Sequence, residues 1–291
     1  DFNAPSIRIW HQHDMTQFVG KGATFGFPIF ELDTFSELEK HHLQSCDEIF
    51  VCSQWAKDII KSNYDWGHYH QAVHVIPLGV DMDIFKPATP RNSDKTIFFN
   101  CGKWEVRKGH DFLIDAFKIV EKHDPNVELW MMCTNPFNSP EEENKWKMAY
   151  NHPKVRIIPR AETQQEVYNI MSQVDCGVFP SRGEGWNLEL LEMMSCGKHV
   201  IATDYSAHTE FCTEENSGLV PIKEVEPAYD GKWFFGQGNW AKIGEHQIFD
   251  LGLKMQHFIE NRKGTVNQAG IETAKSFSWK NSAEEIIKHV G

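Results

Sequence analysis

The stretch VFPSRGEGWNLELLEMMSCGKHVIATD, from Val178 to Asp204, joins a strand, a glycine turn and an apolar helix in one unit. Both ends are strand-like apolar runs, and leucines and methionines at helical spacing fill the middle, with the helix expected to begin near Asn187. Two carboxylates, Glu184 in the turn and Glu192 inside the helix, need partners because a buried unpaired charge is costly. The unit predicts a parallel α/β sheet with a polar partner or ligand near the turn.

Strand-like and helix-like segments alternate along the whole chain, which is typical of parallel sheets covered by helices. The first part contains the strand-like runs SIRIWHQ, FGFPIF, DEIFVCS and HVIPLGV, with helices expected at Thr34–Ser45 and Ser53–Asn63. The second part contains TIFFNCG, VELWMMC, KVRIIPR, DCGVFPS and KHVIATD. Both parts are therefore expected to be doubly wound, Rossmann-like α/β units that face each other across a cleft.

The expected organisation has four parts. An N-terminal domain spans residues 1–86, a linker rich in Pro, Asp and Ser covers 87–95, a C-terminal domain spans 96–275, and a last helix covers 276–291. The segment EVEPAYDGKWFFGQGNWAKIGEH is interpreted as a long irregular insertion, and GHYH at 67–70 as a surface loop. Ligands of such sheets bind beyond the carboxyl ends of the strands, so the loops after TIFFNCG and DCGVFPS are the expected site.

Charge and composition argue against several classes of protein. The 291 residues carry a net charge of −12, which argues against a general nucleic-acid binder because such a protein needs a basic face. The seven cysteines are scattered in apolar runs without a C-x-x-C pair, which indicates reduced core residues of a cytoplasmic protein. No apolar run approaches the ~20 residues of a membrane span, and no secretory signal is present.

A basic cluster follows the strand TIFFNCG. Lys103, Arg107 and Lys108 stand there, and Gly109 and His110 are expected to open an amphipathic helix. Basic side chains beside a helix N-terminus suit a phosphate or diphosphate, whereas the alternative is a solvated basic turn; spacing alone does not separate the two. Neither a Walker loop nor a G-x-G-x-x-G after a strand is present, which weakens an oxidoreductase interpretation.

The glycine turn suggests a second contact with a ligand. Gly183 and Gly185 are expected to let a ligand approach the backbone, with the N–H groups of residues 185–188 free for an anion or a hydroxyl. Glu184 at the tip of the turn can accept hydrogen bonds from hydroxyls. An isolated Glu192 would by default lie on a solvated helix face, as expected for Glu189.

Taken together, these motifs resemble a known family. Glu184 and Glu192 have the spacing of the E-x7-E signature of retaining GT-B glycosyltransferases of the glycogen-synthase-like, family-four type. GKWEVRKG is similar to the family's phosphate loop, VIPLGVDMDIFKP to its interdomain crossing, and DYSAHTEF, with Glu210, to its GG-x-x-E step. FSWKNSAEEIIKHV resembles the closing helix that returns to the first domain. The resemblance covers the chain from about residue 25 onward.

The resemblance implies a role for each motif residue. Glu192 would bind the ribose of a nucleotide sugar, and Glu184 the transferred sugar beside the backbone of Gly185, Trp186, Asn187 and Leu188. Lys103 and Lys108 would bind the diphosphate, and Glu210 would lie near the base or ribose. Two fixed cations and a helix dipole would then stabilise the leaving group in place of a metal, so neither a metal nor another cofactor is expected.

The acceptor side is defined less well. His11, His13 and Asp14 follow the first strand and Glu31 and Asp33 the next, so both groups are expected to face the cleft. His13 is a candidate catalytic residue on the acceptor side; a metal-ligand role and a structural role are the alternatives. The acceptor is a glycan, lipid or other hydroxyl compound. The first domain is shorter than the family's, which leaves two rival functions open: a phosphorylase-like or hydrolytic enzyme on the same fold, and a non-catalytic nucleotide-sugar binder.

Overall fold

The protein is described from a computed structural model that covers residues 1–64 and 71–291, so the predicted loop at 67–70 lies outside the described residues. The first sheet is parallel and its strands lie side by side in chain order. Its strands are β1 (Ser6–Trp10), β2 (Thr24–Pro28), β3 (Glu48–Val51) and β4 (Ala72–Val75). Phe25, Phe27 and Phe50 on this sheet are buried in the largest apolar cluster of the molecule.

The second sheet is also parallel. Its strands are β5 (Thr96–Gly102), β6 (Val127–Cys133), β7 (Val155–Ile157), β8 (Cys176–Phe179), β9 (His199–Asp204) and β10 (Gly218–Pro221). They lie in the order β10-β9-β8-β5-β6-β7, so the chain moves outward from β5 to one edge and then returns to build the other edge. The crevice beyond the carboxyl ends of β5 and β8 is therefore the topological switch point where ligands of such sheets bind.

Helices connect and cover the strands. They are α1 (Glu37–Gln44), α2 (Gln54–Asn63), α3 (Leu113–His123), α4 (Pro140–Ala149), α5 (Gln164–Met171), α6 (Leu188–Ser195), α7 (Glu245–Asn261), α8 (Gln268–Ser276) and α9 (Trp279–Val290), with a 3₁₀ turn at Ser206–Glu210. Serine and threonine caps define several starts, among them the capping box that Ser36 forms with Glu39 before α1. No helix among the described residues is both long and apolar enough to cross a bilayer.

The segment expected to be an irregular insertion is an antiparallel hairpin, which corrects that prediction. Its strands are β11 (Val225–Tyr229) and β12 (Phe235–Ala241). The carboxylate of Asp33, from the loop after β2, accepts hydrogen bonds from the backbone and side-chain nitrogens of Asn239 at 2.8 and 3.2 Å. The hairpin therefore attaches to the first sheet as well as to the second.

Helix α9 packs against the first sheet although it comes last in the chain. Val80 forms an isolated parallel bridge with Ser278, and the hydroxyl of Ser282 donates to the carbonyl of Pro77 at 2.6 Å. A Cβ on Gly79 would lie 2.0 Å from the nitrogen of Trp279, so the two backbones approach as closely as glycine permits. The chain thus crosses between the two sheets twice, near residues 76–95 and again near residue 277.

Candidate functional site

Glu184 is buried in the turn after β8 and is held by three side chains. Its Oε1 lies 3.0 Å from Lys108 Nζ and accepts a hydrogen bond from Ser181 Oγ at 2.7 Å. Its Oε2 lies 2.8 Å from Arg107 Nη1. The backbone N–H of Glu184 donates to Ser206 Oγ at 2.9 Å. The carboxylate therefore has charged partners within the protein, and these partners offset the free-energy cost of burying its charge.

These contacts determine the protonation states of Glu184 and its cationic partners. Burial alone would raise the pKa of Glu184, but Lys108 and Arg107 outweigh it and hold the pKa well below its usual range. Burial would likewise lower the pKa of Lys108, whereas Glu184 and Glu189 raise it above its usual value. Arg107 also binds Glu105, with Nη2 and Oε2 2.8 Å apart. The turn therefore carries a carboxylate and two cations that are all ionised near neutral pH.

Arg107 is the functional residue that the sequence interpretation missed. It was recognised as part of the basic cluster but was given no partner, because its contact with Glu184 spans 77 positions of the chain. The guanidinium also donates to the carbonyl of Gly183 at 2.7 Å, so one buried side chain fixes both the backbone and the carboxylate of the turn. Its burial, with only 7% exposed, distinguishes it from the exposed Lys103.

The space beside Gly183 and Gly185 is occupied by other residues of the protein. It is not open for a ligand to approach the backbone, which corrects the expectation from the sequence. A Cβ on Gly183 would lie 2.6 Å from the carbonyl oxygen of Glu31, and one on Gly185 would lie 2.6 Å from Ile29 Cγ2. Both neighbours belong to the loop that leaves β2 of the first sheet. The turn is thus the place where loops from the two sheets are in contact. Glycine is required there because any Cβ would overlap the neighbouring loop.

Helix α6 begins where the sequence predicts. Asn187 is the N-cap with φ +85°, and its Oδ1 accepts a hydrogen bond from the N–H of Leu190 at 3.2 Å. Its Nδ2 lies 2.8 Å from Nε2 of the buried His208. The indole of Trp186 packs between Phe211 and Phe277 in the core, so its ring is not available to a ligand.

A cavity of about 580 Å³ opens beyond the carboxyl ends of β5 and β6. Lys103 and Glu192 line it, and so does Glu189, which is half-buried rather than the ordinary surface glutamate expected. The ammonium of Lys103 lies 5.4 Å from the centre of the Phe137 ring, which lines the same cavity. Three residues of the predicted site therefore meet at one opening, Lys103 from the loop after β5 and Leu188 and Glu192 from α6.

Glu192 has an unusual protonation equilibrium. Burial, and then the nearby charge of Glu189, raise its pKa from 4.5 to about 8. The carboxyl group is thus largely protonated at neutral pH. A group that donates hydroxyl hydrogen bonds, or a cation, would favour the ionised form.

Lys108 connects the turn with the cavity. Its Cδ, Cε and Nζ lie 3.1, 3.2 and 3.5 Å from the position that a Cβ on Gly102 would take, and Gly102 lines the cavity. A side chain at 102 would displace the lysine. Lys108 therefore lies between Glu184 and Gly102 of the cavity wall, although it is not itself among the residues that line the cavity.

Two predicted site residues lie away from the cavity. Glu210 accepts a hydrogen bond from the backbone N–H of Gln54 at 2.6 Å and so caps α2 of the first sheet. His13 is exposed, and its ring stacks on that of His11 with centroids 5.6 Å apart. Neither lines the cavity. Asp14, next to His13, forms an ion pair with Arg8 of β1.

The loop after β5 differs from its prediction. Helix α3 begins at Leu113, several residues after the expected start at Gly109, because Gly109 has φ +77° and His110 turns into the core. There His110 Nε2 lies 2.8 Å from Asn100 Oδ1, and burial lowers its pKa to about 3. The segment from 103 to 112 is therefore a turn that wraps Lys108 around the carboxyl end of β5.

The metal-independent interpretation of the sequence took it to contain no D-x-D motif, which is wrong, because Asp81, Met82 and Asp83 form such a triplet. The Oδ1 of Asp81 accepts hydrogen bonds from the backbone N–H groups of Asp83 and Ile84 at 3.0 and 3.4 Å. This carboxylate therefore caps a turn at the start of the interdomain segment. Neither aspartate lines the cavity.

Comparison with known proteins shows which family and which proteins the chain resembles. Residues 94–229 match the family model described as Glycosyl transferases group 1. An uncharacterized glycosyltransferase, YqgM of Bacillus subtilis, is 23% identical, with 80% of this chain and 66% of the relative covered. Mannosylfructose-phosphate synthase of Agrobacterium fabrum is 22% identical over 97% of this chain and 61% of its own length. The chain thus spans less than two thirds of these relatives.

Solved structures agree on the fold. Sucrose-phosphate synthase from Thermosynechococcus elongatus superposes with a TM-score of 0.69 at 20% identity, covering 94% of this chain and 67% of that protein. Anabaena HepE, solved in complex with UDP and glucose, gives 0.71 at 14% identity, covering 93% and 72%. The family resemblance and the fold class predicted from the sequence are confirmed. The chain has the GT-B fold, with two facing Rossmann-like units, and its residues 94–229 resemble the glycosyl transferases group 1 family.

Proposed function

We propose that this protein is a retaining glycosyltransferase that moves a sugar from a nucleoside-diphosphate sugar to a hydroxyl acceptor without a metal or other cofactor. One observation carries the proposal: Lys103 and Glu192 line a single cavity that the buried Lys108–Glu184 pair adjoins. The family match supports the reaction class, and HepE, a structural neighbour, was solved with UDP and glucose.

The proposed donor lies along the cavity from Glu192 to the turn. Glu192 accepts hydrogen bonds from the ribose hydroxyls, which stabilise its ionised form against the burial that raises its pKa. Lys103 and Lys108 bind the diphosphate. Glu184, fixed by Arg107, accepts hydrogen bonds from hydroxyls of the transferred sugar beside the backbone at 185–188. His13 remains a proposed acceptor-side residue, whereas Glu210 could reach the donor only after leaving Gln54.

The chemistry follows from where charge develops. When the glycosidic bond breaks, negative charge accumulates on the leaving diphosphate. Lys108 is already charged and held in place by Glu184, so it stabilises that charge without reorganisation, as preorganised donors do in other enzymes. The acceptor hydroxyl then attacks from the face that the leaving group vacates, which retains the anomeric configuration.

The seven cysteines support a cytoplasmic location as part of the proposal, because all are buried free thiols. The acceptor is a glycan, a lipid or another hydroxyl compound, and no nucleic acid is expected to bind a chain of net charge −12.

The donor can be identified before the acceptor is known. Thermal unfolding with a panel of UDP-, GDP- and ADP-sugars should show stabilisation by one base, about 2.7 kcal/mol at a hundred times Kd. Lys108→Ala should reduce nucleoside-diphosphate release roughly 10²–10³-fold, as expected for loss of one transition-state donor. Lys118→Ala is the matched control, because Lys118 is an exposed lysine paired with Asp115 on α3.

The same experiment separates the rival functions. Wild-type turnover by Lys108→Ala would contradict the proposal. Consumption of inorganic phosphate in place of nucleoside-diphosphate release would favour a phosphorylase. Donor binding without release, whichever acceptor is supplied, would favour a non-catalytic binder.

A further inference from the structure

A cluster of metal-ligating side chains lies where α9 covers the first sheet, apart from the cavity. It consists of Glu48 of β3, His74 of β4 and His289 of α9, and one ligand atom from each lies within 4.8 Å of the others. Among residues 1–64 and 71–291, this is the group of three or more His, Cys, Asp or Glu side chains that are close enough to bind one metal ion. None of the three lines the cavity beyond β5 and β6. The proposed donor chemistry therefore gives the cluster no role.

The sheet register brings the first two ligands together. Phe50 of β3 lies opposite His74 of β4, and Glu48, two residues before Phe50, has its side chain on the same face. Glu48 Oε2 and His74 Nε2 are 2.8 Å apart. Neighbouring parallel strands thus present a carboxylate and an imidazole toward the helix.

Helix α9 supplies two more ligands. The His289 ring lies 3.7 Å, centroid to centroid, from the His74 ring. Glu285 precedes His289 by one helical turn, so both side chains lie on one face, and its Oε1 is 3.7 Å from His289 Nε2. The other oxygen of Glu285 pairs with Lys288, which leaves Oε1 directed at the cluster.

We propose that Glu48, His74, Glu285 and His289 bind one zinc-like divalent transition-metal ion that fastens α9 to the first sheet. Imidazole with carboxylate is a common zinc ligand set, and imidazole disfavours magnesium and calcium. Zinc bonds of about 2.0–2.2 Å in a tetrahedron place ligand atoms about 3.3 Å apart. The Glu48–His74 separation of 2.8 Å and the Glu285–His289 separation of 3.7 Å lie on either side of that value. The group whose ligand atoms all lie within 4.8 Å of one another comprises Glu48, His74 and His289, so Glu285 must rotate toward them to become the fourth ligand. Two carboxylates balance the charge of the ion.

The test measures metal binding directly. Chelator-treated full-length protein is titrated with Zn²⁺ by calorimetry, and Co²⁺ is added separately to record the visible spectrum of a tetrahedral site. Wild type should bind one equivalent of either ion. Because loss of even an outer-shell group costs roughly 10–100-fold in affinity, His74→Ala and His289→Ala should each weaken binding by about 100-fold or more. His257→Ala, at an exposed histidine of α7, should bind as wild type does.

A variant of a surface ligand tests the site even if the histidine variants misfold. Glu285→Gln should weaken Zn²⁺ binding roughly tenfold or more, whereas Glu284→Gln, next to it and more exposed, should leave binding unchanged. Failure of wild type to bind a stoichiometric ion would overturn the site, as would unchanged binding by the His74→Ala, His289→Ala double variant. Donor-induced thermal stabilisation should persist with chelator present, which keeps this result independent of the proposed transferase activity.

Discussion

Replacing Glu192 by glutamine should remove a pH-dependent destabilisation of the folded protein. Burial and the charge of Glu189 raise the pKa of Glu192 from 4.5 to about 8. A group whose folded pKa is raised contributes its full stability below about pH 4.5 and loses it as the pH rises toward about 8. Glutamine has the same shape without a charge, so the variant should not undergo this loss.

The size of the effect follows from the shift. At 1.36 kcal/mol for each pKa unit, a rise from 4.5 to about 8 corresponds to about 5 kcal/mol if the group is fully sealed from water. Glu192 is only half-buried and lines an open cavity, so solvent screens part of the penalty. We therefore expect the free energy of unfolding of Glu192→Gln, relative to wild type, to increase by about 2–3 kcal/mol between pH 4.5 and pH 8.5.

Urea unfolding at constant ionic strength across this pH range measures that difference. Titrating groups that do not interact with Glu192 contribute equally to both proteins and cancel in the comparison. Glu189→Gln serves as a second variant, because removing its charge should lower the pKa of Glu192 and flatten the wild-type dependence. A difference between Glu192→Gln and wild type that stays constant from pH 4.5 to 8.5 would refute the reasoning.

Two further predictions concern the turn and its support. Arg107→Met should lower the free energy of unfolding by about 3–5 kcal/mol in urea titrations, because it leaves Glu184 with one cation; a cost under 1 kcal/mol would contradict this role. Gly109→Ala should cost about 2–4 kcal/mol, because φ is +77° and the new Cβ would lie 2.3 Å from the carbonyl oxygen of Pro180. Gly264→Ala, with φ +75° and open space, should cost only about 1–2 kcal/mol, and equal costs would exclude the clash.

Much of the fold could be predicted because most strands appear in the sequence as apolar runs between polar residues. β5 and β6 begin and end where the runs TIFFNCG and VELWMMC do, since all but one residue of each strand are buried and polar residues bound both strands. The hairpin β11–β12 was missed although Asp230-Gly231 is a turn signal between aromatic runs. Its partly polar strands lack the apolar pattern on which the prediction depended.

The site was less predictable because its partners are distant in the chain. Spacing identified Glu184, Glu192 and the two lysines, but not that Arg107, 77 positions before Glu184, holds its carboxylate. Nor could spacing reveal that Gly183 faces the backbone of Glu31, since that contact exists only when the two sheets are assembled. The domain boundaries and the roles of the site residues remain predictions.

The position of α9 has a consequence for biosynthesis. The first sheet is complete at Val75, whereas the helix that covers it starts at Trp279, roughly 200 residues later, or about 10–40 s at usual translation rates. During that interval the nascent chain exposes the face on which Ile286 and Val290 will later pack. We expect the ribosome-bound intermediate to recruit holding chaperones until α9 emerges.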